Sequence, residues 1–157
     1  MTRTVAVTRV IDLPVDAAWD LCVDARNHAR WIPLTRVTVQ GLPPAIGTQV
    51  RAVSGPFLDR GVPGLPDTMR IDVFDPPSPG HPGTAVFTKL GPVLLGAAGI
   101  HVAGVDDGRS AVTWTEDVHL AGPLPRALTA TVLAPALAVM LRFALHRVAR
   151  EAAHLTG

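Results

Sequence analysis

The chain of 157 residues has one cysteine, Cys22, no tyrosine, and one lysine, Lys89, beside thirteen arginines. A lone cysteine excludes an intramolecular disulfide and a thiolate metal cluster. Charged residues make up only 17% and the net charge is +1, with no stripe of clustered Lys or Arg. A nucleic-acid partner, whose backbone demands such a stripe, is not expected. G-x-S-x-G, a glycine-rich phosphate loop and H-E-x-x-H are all missing. No two histidines sit at the spacing of a metal pair, so neither a metal site nor a cofactor is expected. The start, MTRTVAVTRVIDL, lacks the long apolar segment of a signal peptide, and the chain is read as cytoplasmic. No repeat or linker is visible, so residues 1–157 are read as one domain.

What is present is apolar. Hydrophobic residues reach 48%, and with three Trp and four Phe the core must be mostly Val, Leu, Ala and Ile. RTVAVTRVI (3–11) alternates as a strand. Pro14 then suits a first helical turn, with Asp16 favourable at its positive end. Val15, Ala18, Trp19, Cys22 and Val23 share one face of that helix. Asp24 can cap a second short helix, Ala25 to Trp31, which Ile32-Pro33 ends. Strands follow at Thr35–Gln40, Thr48–Val53, Thr68–Asp75, Thr84–Lys89, Ala97–Val105 and Arg109–Leu120, separated by Gly/Pro breakers. In the fourth strand, Met69, Ile71 and Val73 alternate against Arg70, Asp72 and Phe74. Residues 55–67, GPFLDRGVPGLPD, read as a long loop with Phe57 and Leu58 as its apolar tip. From Leu124 to His154 the pattern is helical. Fifteen residues between Arg126 and Arg142 carry no charge, and Pro135 among them should kink the helix.

A strand, two short helices, a run of strands and a long last helix indicate an α+β fold with an antiparallel sheet. The strand RTVAVTRVIDL, then Pro14, Asp16, Trp19, Asp24 and Trp31-Ile32-Pro33-Leu34, carry a more specific likeness. So do Pro76-Pro77, the hairpin Gly108-Arg109-Ser110 into AVTWTEDV, and the closing helix. With these the chain resembles the START/Bet v 1-like superfamily, in particular its bacterial SRPBCC group of polyketide cyclase/dehydrase and lipid-transport proteins. The resemblance implies a helix-grip fold: a strongly curved sheet of about six or seven strands wrapped around the C-terminal helix. It implies that the two short helices plug one end of the curve, with Trp19 on the sheet edge and Trp31 near a cavity mouth. It leaves function open, because this fold serves carriers, receptors and enzymes. Aromatic polyketide cyclases of the group often hold substrate with tyrosine, which this chain lacks.

The hairpin VDDGRSAVTWTEDVHL places the chemistry. A turn with Gly108 left-handed pairs Val105 with Arg109, Ile100 with Trp114 and Ala98 with Glu116. A two-residue Asp107-Gly108 turn instead sets His101 opposite Trp114. The first places apolar beside apolar and is preferred. In either register Val112, Trp114, Glu116, Val118 and Leu120 share a face, so Glu116 is a carboxylate among apolar groups. Desolvation there makes it a candidate acid/base, unless an arginine such as Arg51 or Arg70 pairs with it. His101 is a catalytic candidate only in the second register. Leu133, Leu137, Met140 and Leu141 of the helix, Met69 and Ile71 of the sheet, Trp31, Trp114, and Phe57 and Leu58 of a lid are the candidate walls of an apolar pocket.

The leading expectation is therefore a binding protein for a hydrophobic small molecule such as a lipid, isoprenoid, quinone or polyketide. The alternative is a cyclase or dehydratase using Glu116. A third reading is an interaction module with no internal pocket, using the apolar helix as its surface. The uncharged run is short of the roughly twenty residues of a membrane span. No transmembrane span is expected, while a peripheral membrane contact and a monomer or homodimer stay open.

Overall fold

Alternating apolar residues form the strands, and the Gly/Pro clusters end them. The computed structural model describes residues 3–157. Its strands are β1 (Val5–Ile11), β2 (Thr35–Gln40), β3 (Gln49–Ser54), β4 (Leu65–Asp75), β5 (Gly83–Pro92), β6 (Leu94–Asp106) and β7 (Arg109–Leu120). They form one sheet in the order β1-β7-β6-β5-β4-β3-β2, with every neighbouring pair antiparallel. Each strand pairs with its successor, except that β1 returns to pair with the last.

Helix α1 (Val15–Val23) begins after Pro14, with Asp16 in its first turn. The buried hydroxyl of Ser110 on β7 donates to Leu13 O at 2.7 Å and ties that entry to the sheet. Helix α2 (Ala25–Trp31) is capped by Asp24, whose carboxylate accepts from Arg26 N at 3.1 Å. Helix α3 (Arg126–Thr156) continues through Pro135 as one helix, and Pro135 lies on its exposed side.

Contacts between elements show what curves the sheet. α3 packs on β1 and β7 at one edge, and α2 touches both α3 and β2 at the other edge. The two edges are thus brought round to one group of helices, which is the expected helix grip. α3 is long and apolar enough to cross a membrane by length and composition, with an 18-residue window of mean hydropathy 1.9. Here its buried residues, from Thr129 to Ala152, face the fold.

Three local expectations change. The segment 55–67 is not all loop, because Leu58–Arg60 form a 3-10 turn and β4 already starts at Leu65. In β4 an irregularity between Ile71 and Val73 reverses the alternation. Val73 is exposed, and Phe74 turns inward to meet Trp19 with ring centroids 5.3 Å apart. Trp19 therefore packs over the middle strands rather than an edge, and a Cβ on Gly83 would sit 2.5 Å from its ring. In the β6–β7 hairpin Asp106, not Val105, pairs with Arg109, and Gly108 is not left-handed. A bulge at Val105 restores the preferred register beyond it: Ile100 faces Trp114, and Ala98 faces Glu116.

Candidate functional site

A cavity of about 240 Å³ lies between the sheet, α2 and α3. The sheet supplies Val50, Met69, Phe87 and Ile100, α2 supplies Ala25 and His28, and α3 supplies Leu137 and Met140. Trp114 closes one side. Into the same cavity the sheet also places three ionisable side chains, Asp67, Lys89 and Glu116.

Strand parity brings the three together. Lys89 shares the inward face of β5 with Ala85 and Phe87, and Glu116 shares that of β7 with Trp114 and Val118. β6 runs between them. It offers Gly96 opposite Lys89 and Ala98 opposite Glu116, so no large side chain separates the two. Lys89 is 7% exposed and Glu116 4%. Lys89 Nζ donates to Asp67 Oδ2 at 2.5 Å and approaches Met69 Sδ at 3.6 Å. Its distance to Glu116 Oε2 is 3.8 Å, an ion pair without a hydrogen bond. Asp67 Oδ1 and Glu116 Oε2 are buried with no hydrogen-bond partner among the described residues.

Burial lifts the Glu116 carboxyl above its ordinary range. The Lys89 charge works against that rise, and the Asp67 charge adds to it. The Trp114 indole opposes the rise weakly, although its N–H makes no hydrogen bond of normal geometry among the described residues. Burial also acts against the Lys89 ammonium, but the charges of Glu116 and Asp67 outweigh it and raise its pKa. Lys89 therefore stays protonated. Two carboxyls share one ammonium, and burial raises the pKa of the Glu116 carboxyl.

His28 is a further polar wall, as are Thr35 and Ser54. Its ring is buried against Trp114 (centroids 4.8 Å apart), Trp31 (5.5 Å) and Phe87 (6.3 Å). Nε2 donates to Cys22 O at 2.9 Å, since a carbonyl can only accept, and this fixes the neutral tautomer. Burial pushes its pKa down to about 4 from 6.5. Unfolded chains take this proton near pH 6.5 and folded ones only near 4, so stability falls as pH drops through that window. The expected loss from this one group between pH 7.5 and 4.5 is on the order of 2.5 kcal/mol. Urea unfolding of wild type and His28→Gln at both pH values checks it: the variant should lose less stability on acidification by about that amount.

The cavity collects Met69, Trp114, Glu116, Leu137 and Met140 of the residues singled out from the sequence. Ile71 and Leu141 are fully buried in the core behind it, and Leu133 is half-buried outside its lining. Trp31 is not at a mouth. It is 1% exposed, and its indole N–H donates to Glu151 Oε2 of α3 at 2.7 Å. Phe57 is 51% exposed, with Arg60 stacked at 5.6 Å, and Leu58 lines a separate surface depression with Leu34. Neither covers the cavity. His101 lies on the opposite face of β6 from Ile100 and shares a hydrogen bond with Thr84 (3.2 Å), because the bulge at Val105 keeps it out of the interior. Arg51 and Arg70 are exposed, so neither neutralises Glu116. Cys22 is buried, and burial, with some help from the Glu151 charge, pushes its thiol up to about 12. It is an unreactive core thiol.

Sequence reasoning missed Lys89, Asp67 and His28. The parity of TAVFTKL puts Lys89 inward with Phe87, and Asp67 has the parity of Met69. His28 sits three residues from both Ala25 and Trp31, on the buried side of α2.

The model of the polyketide cyclase / dehydrase and lipid transport family matches residues 2–153. No curated protein sequence matches the chain. Among solved structures, the protein XoxI from Bacillus cereus aligns over 100% of this chain and 99% of its own, with TM-score 0.68 and 13% identity. A START superfamily protein from Mycobacterium smegmatis covers 94% of this chain and 97% of its own, with TM-score 0.68 and 11% identity. The Zhui aromatase/cyclase from Streptomyces sp. R1128 covers 94% and 86%, with TM-score 0.57 and 20% identity. At these identities the likeness is one of fold.

Proposed function

The chain belongs to the polyketide cyclase/dehydrase and lipid transport family, and from that premise we propose that it binds a hydrophobic small molecule in the cavity between its sheet and α3. The carrying observation is a mostly apolar chamber with one buried charged cluster, the combination that gives a ligand both burial and orientation. Burial of each ligand CH₂ contributes about 0.8 kcal/mol before ordering costs. The ligand-free reading expected no internal pocket, and the cavity weighs against it. Native mass spectrometry of protein purified from its own host, with extraction of whatever is bound, is the test. One apolar molecule per chain is expected. An empty chain that also leaves Trp114 fluorescence unchanged by an apolar probe such as naphthalene would sink the reading.

One observation favours a second reading, an enzyme. A carboxyl whose pKa burial raises, beside a buried ammonium, suits acid/base catalysis of enolisation or dehydration. Glu116→Gln separates the two. An enzyme loses turnover and keeps binding, whereas a carrier changes only in affinity or selectivity.

A further inference from the structure

The Lys89–Asp67–Glu116 cluster is incomplete as it stands. Lys89 carries three donors. One goes to Asp67 Oδ2 at 2.5 Å, one grazes Met69 Sδ at 3.6 Å, and the third has no acceptor within hydrogen-bonding distance among the described residues. On the other side Glu116 Oε2 has no donor among the described residues. The gap of 3.8 Å between Nζ and Oε2 is too long for a hydrogen bond. An oxygen about 2.8 Å from each would bridge it at an angle of roughly 85°. The last torsion of a glutamate is soft, so either carboxyl oxygen can be presented to such a group.

We propose that the polar end of the ligand is a neutral hydroxyl (an alcohol, phenol or enol) seated between Lys89 Nζ and the Glu116 carboxyl, and that the cavity rejects a carboxylate or phosphate there. This rests on the binding reading above and names the ligand chemistry of that site. A hydroxyl accepts from Lys89 and donates to Glu116, so it completes both. A ketone only accepts, and leaves Glu116 without a donor. An ammonium only donates, and leaves the third Lys89 N–H unmet. An anion would be the third acidic group around one ammonium, in a place where charge is poorly solvated. The other polar groups of the lining are already partnered, Thr35 with Ser54 at 2.7 Å and His28 with Cys22 O at 2.9 Å, so the selection falls to this cluster.

Three probes of one shape test it at pH 7: naphthalene, 2-naphthol and 2-naphthoate, titrated into the full chain and followed by calorimetry and Trp114 quenching. We expect 2-naphthol to bind at least tenfold tighter than either of the others. Glu116→Gln, a near-isosteric change, should lower the naphthol-to-naphthoate ratio at least tenfold, because its amide N–H can serve an anion. Equal affinity for 2-naphthol and naphthalene would overturn the hydroxyl assignment while leaving the apolar cavity intact. Tighter binding of 2-naphthoate would show that the cluster reads anions. A ratio unchanged in Glu116→Gln would remove the cluster from recognition. If none of the three binds, the binding reading itself falls, and the inference with it.

Discussion

Replacing Lys89 with methionine should cost about 3–5 kcal/mol of folding stability at pH 8, the scale seen when one partner of a buried ion pair is removed. Methionine keeps the length and the apolar stem, so little of the loss comes from packing. What goes is, among the described residues, the only positive charge paired with Asp67 and Glu116, both of which line the same cavity. The pH dependence identifies the cause. Burial already holds Glu116 above its ordinary 4.5, and losing the Lys89 charge lifts it further. A carboxyl raised in this way costs nothing below its unfolded pKa, and costs more as pH rises from there toward its folded pKa. The deficit of Lys89→Met should therefore be smaller at pH 4.5 than at pH 8. Urea unfolding at the two pH values measures it. Converting Asp67 to Asn and Glu116 to Gln in the same chain should restore most of the loss. A pH-independent deficit would mean that packing, not charge, is what Lys89 supplies.

Gly96→Ala is the second large effect, and it acts through the backbone. Gly96 lies inside β6 with φ +120, a conformation that side chains rarely tolerate. A Cβ there would sit 2.0 Å from Asp117 O and 3.0 Å from Val118 Cα. Those atoms are the paired backbone of β7 and can yield only by opening the β6–β7 ladder. The strain and the overlap together should cost at least about 3 kcal/mol, enough to leave little folded protein in a domain of ordinary stability. Gly47→Ala is the control. Gly47 also has φ +89, but nothing lies within 4 Å of its Cβ position. It should lose only the conformational term, about 1 kcal/mol. Thermal melts of the two variants compare clash with strain. Equal losses would mean that β6 relaxes around the new methyl.

The fold was legible because its signals are local. TRVTVQ alternates and is β2, and Asp24 and Pro33 bracket α2 at the expected residues. Bulges were not legible. Nothing in IDVFD says that Val73 turns out and Phe74 in, since that depends on how β4 is paired with β5. The site was half legible. Glu116 stood out because four apolar residues share its face, and the apolar helix pointed to Leu137 and Met140. Lys89 was just as readable by parity, but a single lysine in an arginine-rich chain looks like a habit of composition. Asp67 was hidden by the Gly/Pro-rich stretch before it, which shows no alternation. The place of Trp31 could not be read at all. Glu151, which accepts its indole proton, lies 120 residues further along the chain.

The scarcity of lysine gives the cavity its own chemical address. Every other basic side chain among the Lys and Arg residues is a guanidinium, so in this sequence Lys89 is the one side chain open to an acylating reagent aimed at primary amines. In the folded protein that amine is enclosed and bonded to Asp67. Its modification has to wait for the chamber to open. The labelling rate of one residue, read from a single mass shift, is thus a clock for breathing of the sheet around α3, and an occupant of the chamber would slow it.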